Sequence, residues 1–159
     1  RSGVQMVQCR RCFGTRTGAV NTGIMLYRGL GTERDYKRAF QWFERSAKLG
    51  DPQSQFAVAS LYFDGKGVKI DRAAGIHWYH ESAKHRYPYA AYDLGALYYN
   101  GNGLPRDHVR AYAWFSVADH WGLNTWQARV ILTQTLSPAE LTRAKQLGRK
   151  LIDKYDSRY

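Results

Sequence analysis

Two groups of residues in this sequence have the types and spacing that could carry chemistry. The first is Cys9-Arg10-Arg11-Cys12, two thiols at the separation used in zinc and redox sites. A structural zinc site takes four ligands, however, and no second pair or flanking histidine follows at matching spacing. The strand–helix–strand setting of a thioredoxin-like pair is missing too. We read the pair as fortuitous thiols in an N-terminal lead-in, with a local disulfide or a shared metal as the alternatives. The second group is His77-Trp78-Tyr79-His80-Glu81, with Lys84 and His85 close behind. On a helix, His77, His80 and Glu81 fall at i, i+3 and i+4 and could gather a metal on one face. Zincin motifs use other spacings, and a third ligand would have to arrive from elsewhere. The simpler expectation is an exposed helix face on which His77 and Glu81 pair across one turn.

Other catalytic patterns are missing from the sequence. No Ser is followed three residues later by Lys, and neither Ser-Asp-Asn nor Lys-Thr-Gly occurs, so acyl-transfer chemistry of the Ser-x-x-Lys kind lacks its nucleophile motif. The Gly-x-Gly pairs are not followed by the Lys-Ser or Lys-Thr of a phosphate loop. The expectation is a protein that is not an enzyme, with no catalytic residue and no cofactor.

What must position the side chains is a ladder. Gly29, Gly65 and Gly101 are spaced by 36 residues, and so are Gly31, Gly67 and Gly103; Asp35, Asp71 and Asp107; and Trp42, Trp78 and Trp114. A period of this length belongs to units of two short helices and two turns. In the third copy Ala90, Ala91, Leu94, Leu97 and Tyr98 share one side of a helix running from about Ala90 to Asn100. Gly101 and Gly103 stop it, Asp107 is placed to cap the next helix, and Ala111, Trp114, Phe115 and Ala118 continue at three- and four-residue steps. We assign Trp42, Trp78 and Trp114 to the core together with Phe43, Tyr79 and Phe115. The second copy carries Arg86 where the others have Gly50 and Gly122, so that turn needs another device.

After Thr125 the ladder stops. Trp126 to Gln134 still reads as a helix, and Ser137-Pro138-Ala139-Glu140 forms a capping box for another. Behind it Leu141, Ala144, Gly148, Leu151, Ile152 and Tyr155 form an apolar stripe flanked by Arg143, Lys150 and Lys154 on one edge and Lys145 and Arg149 on the other. We divide the chain into a lead-in at 1–17, poorly ordered or the remnant of a helix, repeats at 18–53, 54–89 and 90–125, and a partial fourth repeat with a capping helix at 126–159. The fold class is all-α, an α-solenoid of antiparallel helix pairs, with eight helices between Gly18 and Tyr159.

Bulk properties constrain the partner. Twenty-four Lys and Arg against thirteen Asp and Glu give a formal charge of +11. That charge favours acidic surfaces, nucleic acid or anionic envelope polymers, or simply keeps copies of the protein apart. A mean hydropathy of −0.56, with no apolar run near the roughly 20 residues of a membrane helix, predicts no spanning segment. The chain begins at Arg1 rather than Met, so the lack of a visible signal peptide is uninformative.

The pattern Leu94-Gly95-x-Leu97-Tyr98-Tyr99-x-Gly101-x-Gly103, with Asp107, Ala111, Trp114-Phe115, Ala118 and Gly122, resembles the Sel-one-like repeat family, a relative of the tetratricopeptide repeat. The resemblance covers about residues 18–125 in three copies, the first being the weakest match, with Thr22, Met25 and Thr32 off pattern. It implies a right-handed superhelix used mostly in bacteria, and in membrane-associated degradation machinery, as a protein–protein adaptor or scaffold. Although relatives have been labelled β-lactamases, the nucleophile motif that this would need is missing here. In such arrays the first helices line a concave face. Carried over by alignment on Leu94-Gly95, that face comprises Tyr89, Tyr92, Ala96, Tyr99 and Asn100; Gln53, Phe56, Ser60, Phe63 and Asp64; and Thr17, Val20, Ile24, Tyr27 and Arg28. Periodicity independently puts the five residues of the third copy opposite Ala90, Leu94 and Leu97. An aromatic surface of this kind suits a protein or peptide segment, with Asp64, Asn100 and Arg28 as polar contacts. For Tyr27, Phe63 and Tyr99 the competing reading is packing between adjacent first helices, which leaves Phe56 and Tyr92 as the stronger groove candidates. The alternative function is binding of an anionic polymer or surface through Arg143, Lys145, Arg149, Lys150 and Lys154. No nucleic-acid-binding fold accompanies the charge, so nucleic acid is not the expected partner. We expect a monomer; the resemblance points to bacteria, where such proteins occur in the envelope, in the cytoplasm or as secreted effectors, and we favour the envelope or periplasm, or secretion, over the cytoplasm.

Overall fold

The computed structural model describes residues 16–158. Cys9 and Cys12, and the lead-in reading attached to them, lie outside these residues. Among the described residues there are eight α-helices and no strand: α1 (Arg16–Arg28), α2 (Tyr36–Lys48), α3 (Pro52–Asp64), α4 (Arg72–Lys84), α5 (Pro88–Asn100), α6 (His108–His120), α7 (Trp126–Thr135) and α8 (Pro138–Asp156). This is an all-α solenoid of paired helices with a capping helix. The chain divides into two units whose boundary, between Gly75 and Ile76, falls inside α4.

The ladder Asp does two jobs in every copy. Its backbone N–H donates to a carbonyl near the end of the first helix: Asp35 to Leu26 O at 3.0 Å, Asp71 to Tyr62 O at 3.2 Å, Asp107 to Tyr98 O at 2.9 Å. Its carboxylate meanwhile accepts from the second helix's first turn, from the N–H of Arg38 at 2.9 Å, Ala74 at 3.0 Å and Arg110 at 2.9 Å. One residue thus closes the turn and satisfies an otherwise orphaned helical donor, which explains why a short polar acid stands there. Gly65 and Gly101 sit just past α3 and α5 with φ of 67° and 71°, the left-handed conformation that stops a helix.

In the first unit α1 packs on α2 and α2 on α3. Gly23 brings α1 against the ring of Phe43, where an added Cβ would lie 2.8 Å from the ring carbons. Phe40 meets Tyr62 edge-on at 5.3 Å, and the buried Gln55 amide donates to Ala47 O at 3.2 Å. Tyr27 and Tyr36 pack edge to face at 5.3 Å, with Lys66 near both rings.

In the second unit α5 packs on α6 through Gly95, whose position leaves room for Phe115 and no more, a Cβ there coming within 2.9 Å of the ring. On α6, Ala111, Ala113, Val117 and Ala118 are fully buried, and α8 lies against it through Gly148, with Ala144 of α8 also fully buried. The capping box forms as expected, the N–H of Ser137 donating to Glu140 at 2.9 Å and the N–H of Glu140 to the Ser137 hydroxyl at 3.3 Å. The device that replaces glycine at Arg86 is now visible. This residue adopts φ 55°, and its guanidinium reaches Asp156 on α8, 3.3 Å from the carboxylate and 3.3 Å from the backbone carbonyl. His120 at 2.9 Å and Trp121 at 3.3 Å hold the same carboxylate, and the His120 hydrogen bond is the main reason its pKa lies below the usual range.

The tryptophan ladder is not uniform. Trp114 is 4% exposed, covered by Tyr155 at 5.9 Å and by His80 at 5.5 Å, but Trp42 and Trp78 are only half-buried. Their neighbours Phe43, Tyr79 and Phe115 are the positions buried in all three copies. A tryptophan one residue earlier sits at the margin of the packed face, and in Trp114 it is Tyr155 of α8 that closes the gap.

Candidate functional site

The most aromatic exposed surface on a single helix is one face of α5. Ala90, Ala91, Leu94, Gly95, Leu97 and Tyr98 are buried, whereas Tyr89, Tyr92 and Tyr99 are 51%, 39% and 37% exposed and Asn100 is exposed beside them. The alternation follows from the 3.6-residue period and from six apolar or small residues claiming the opposite side. Each tyrosine is held by a neighbour. Tyr87 lies 5.6 Å from Tyr89, the Tyr92 ring leans on Phe115 at 5.2 Å, and Tyr99 stacks on His108 at 5.2 Å and 24°. Rigid aromatic rings of this kind present contact area at small entropic cost.

Tyr92 also borders a recess of about 280 Å³ whose other wall is Asn124, Thr125, Trp126, Gln127 and Ala128. Trp126 is 54% exposed, and its backbone N–H is fixed by the Asn124 side chain at 3.2 Å. From the sequence, Trp126 reads only as the start of a helix. A large aromatic residue at a position where the repeat pattern has ended, with no ladder partner, was the available signal. Below Tyr92, Asp93 is half-buried; burial pushes its carboxyl pKa up, and the Tyr79 hydroxyl bonded to it pulls partly the other way.

The remaining expected positions are in the first unit. Phe56 is half-buried on α3, and the half-buried ring of Phe63 lies against Gly75, where a Cβ would come within 2.6 Å of it. Asp64 is exposed and paired with Lys66 at 3.0 Å; that lysine also donates to the Tyr27 hydroxyl at 3.4 Å. The Asp64 hydrogen bond is the largest of the influences raising the Lys66 pKa. Arg28 and Thr17 are exposed, Ile24 and Tyr27 half-buried; Val20, a branched apolar side chain, is buried away from the face assigned to it.

The histidine cluster on α4 does not converge. The His77 ring lies beside Trp78 at 5.8 Å, and His80 turns inward onto Trp114, where burial lowers its pKa first and Lys154 second. Glu81 pairs with Lys84 rather than with His77. Among the described residues, no group of three or more His, Cys, Asp or Glu is placed to hold a metal ion. No helix there is long and apolar enough to cross a membrane.

Helix pairs closed by Gly-x-Gly turns and clasped by a ladder Asp define a tetratricopeptide-like repeat array, a fold class typically without catalytic machinery and used for protein–protein interaction. Residues 17–51, 52–87 and 88–118 match the Sel1 repeat, and the chain belongs to the Sel1 repeat family. It is similar to the solved structure of c5321, a protective antigen present in uropathogenic Escherichia coli strains displaying an SLR fold. The TM-score is 0.81 at 34% identity, over 89% of this chain and 31% of that one. It also resembles the Sel1 repeat protein from Oxalobacter formigenes, with a TM-score of 0.65 at 24% identity over 74% of this chain and 47% of that one, a likeness of fold. The chain thus spans less than half of the length of each of these two bacterial proteins. Among curated proteins none matches it.

Proposed function

We propose that this chain is a non-catalytic adaptor module that binds a protein or peptide segment through the faces of its first helices, with α5 as the main contact. The observation that carries the reading is the exposure of Tyr89, Tyr92 and Tyr99 on one side of α5 while the other side is buried. Three aromatic rings on a rigid helix, next to a recess walled by Trp126, have the composition of interface anchors. Phe56, Phe63, Asp64 and Arg28 are the corresponding candidate contacts of the first unit, taken by itself.

The test is affinity capture from a bacterial lysate with the immobilised wild-type chain and with the Phe56→Ala/Tyr92→Ala double variant, each shown by circular dichroism to be folded. Tyr89→Ala, the more exposed position, serves as a second variant. A partner retained by wild type and lost by both variants supports the reading; one retained equally by all three removes it. We place the protein in the envelope or outside the cell, in keeping with the protective-antigen relative, and cell fractionation tests that placement. A second reading, contact with an anionic polymer through α8, has in its favour the exposure of Arg143, Lys145, Arg149, Lys150 and Lys154. Such binding weakens steeply with salt and is indifferent to Tyr92.

A further inference from the structure

Where the start of α6 meets the outer side of α8, both within the second unit, two recesses adjoin. One, of about 230 Å³, lies among Val109, Arg143, Gln146, Leu147 and Lys150. The other, of about 350 Å³, includes Arg106, His108, Leu136 and again Val109. Val109 lines both, so they form one seam with an apolar floor of Val109, Leu147 and Leu136, all half-buried.

The charges on the seam are unequal in their commitments. Its two carboxylates already serve helix starts: Asp107 accepts from the Arg110 N–H at 2.9 Å and pairs with that guanidinium at 3.4 Å, and Glu140 is held in the capping box of α8. Arg106, Arg143 and Lys150 are exposed, and no salt bridge reaches them among the described residues. Glu140 also acts electrostatically on Arg143, so part of the charge is balanced, and the seam offers an excess of positive charge around an apolar strip, in a chain of formal charge +11 that draws in anionic partners from a distance.

We propose that this seam binds an acidic, amphipathic protein segment, an apolar side chain resting on Val109 and Leu147 and carboxylates reaching Arg143, Lys150 and Arg106. Arginine forks and lysine points both suit carboxylates, and the apolar floor gives a peptide something that bare polyanions cannot use. A single-stranded nucleic acid would need free aromatic platforms. The flat ring at the seam, His108, is already stacked on Tyr99. The site is separate from the Tyr92 surface and stands or falls without it.

Fluorescence anisotropy at physiological ionic strength tests this with three labelled probes: a short peptide of repeating Glu-Leu-Asp-Glu, the same peptide with Ser for Leu, and an oligodeoxythymidylate of equal charge. The Leu peptide should bind wild type about tenfold more tightly than either control. Arg143→Glu/Lys150→Glu should weaken it about tenfold or more. Lys145→Glu/Arg149→Glu, on the opposite edge of α8 and with the same change in net charge, should weaken it less than about threefold. All four positions are exposed, and matched melting curves verify that both variants fold. Equal losses in the two variants, controls that bind as well as the Leu peptide, or no saturable binding of that peptide would each overturn the proposal.

Discussion

Gly31 and Gly67 occupy the same rung of the ladder and nearly the same backbone conformation, φ 68° and 74°, yet their surroundings differ sharply. A Cβ at Gly31 would meet nothing closer than the tip of Met25 at 4.0 Å. A Cβ at Gly67 would lie 2.1 Å from the carbonyl oxygen of Tyr36 and 2.4 Å from its carbon, backbone atoms at the start of α2 that cannot rotate aside. Both alanine substitutions carry the left-handed penalty of about 1–2 kcal/mol, offset by about 0.4–1 kcal/mol from the less flexible unfolded chain. Gly31→Ala should therefore cost about 0–1.6 kcal/mol. Gly67→Ala adds an overpacking cost of about 1–3 kcal/mol and should reach about 1–4.6 kcal/mol. Urea denaturation followed by far-ultraviolet circular dichroism measures both. If the two variants fall within about 0.5 kcal/mol of each other, the turn moves freely and the packing of Gly67 against α2 is refuted.

Two further outcomes follow from burial. Trp114→Ala should cost about 3–5 kcal/mol and Trp42→Ala, at a half-buried position, about 1–2 kcal/mol; equal costs in the same denaturation assay would contradict the unequal ladder. For Asp93 the folded pKa lies above the ordinary 3.8, so the folded state holds its proton more tightly. The stability this contributes is present below about 3.8 and is lost as pH rises through the folded value. Asp93→Asn keeps an acceptor for Tyr79 and removes the buried charge. Its melting temperature relative to wild type should rise between about pH 4 and pH 7, and a fall over that range would contradict the assignment.

Much of the fold was legible because its determinants are local. Gly101 ends α5 and Asp107 caps α6 through contacts within a few residues, and Ser137 and Glu140 meet within one turn, so type and spacing alone carried them. The alternation along α5 was equally readable, since six of its residues could only face inward. What the ladder concealed is that equal rungs do not have equal neighbours. Trp42 and Trp114 share a position, but Tyr155, from a helix outside the repeat, covers Trp114. The bond from Arg86 to Asp156 joins residues 70 apart, beyond the reach of periodicity. The spacing on α4 predicts an exposed face for His80, whereas its ring lies on Trp114 because the inward stripe of α4 extends one residue past Tyr79. Periodicity alone does not divide groove from core for Phe63, and the structure sets its ring against Gly75, a residue whose small size has no meaning until its partner helix is known.

The proposed contact of a partner with the tyrosine face of α5 can be measured as the dissociation constant of a captured partner, by titration calorimetry with wild type, Tyr89→Ala and Tyr92→Ala. Affinity should fall about tenfold or more in each folded variant. Unchanged affinity in both would contradict it.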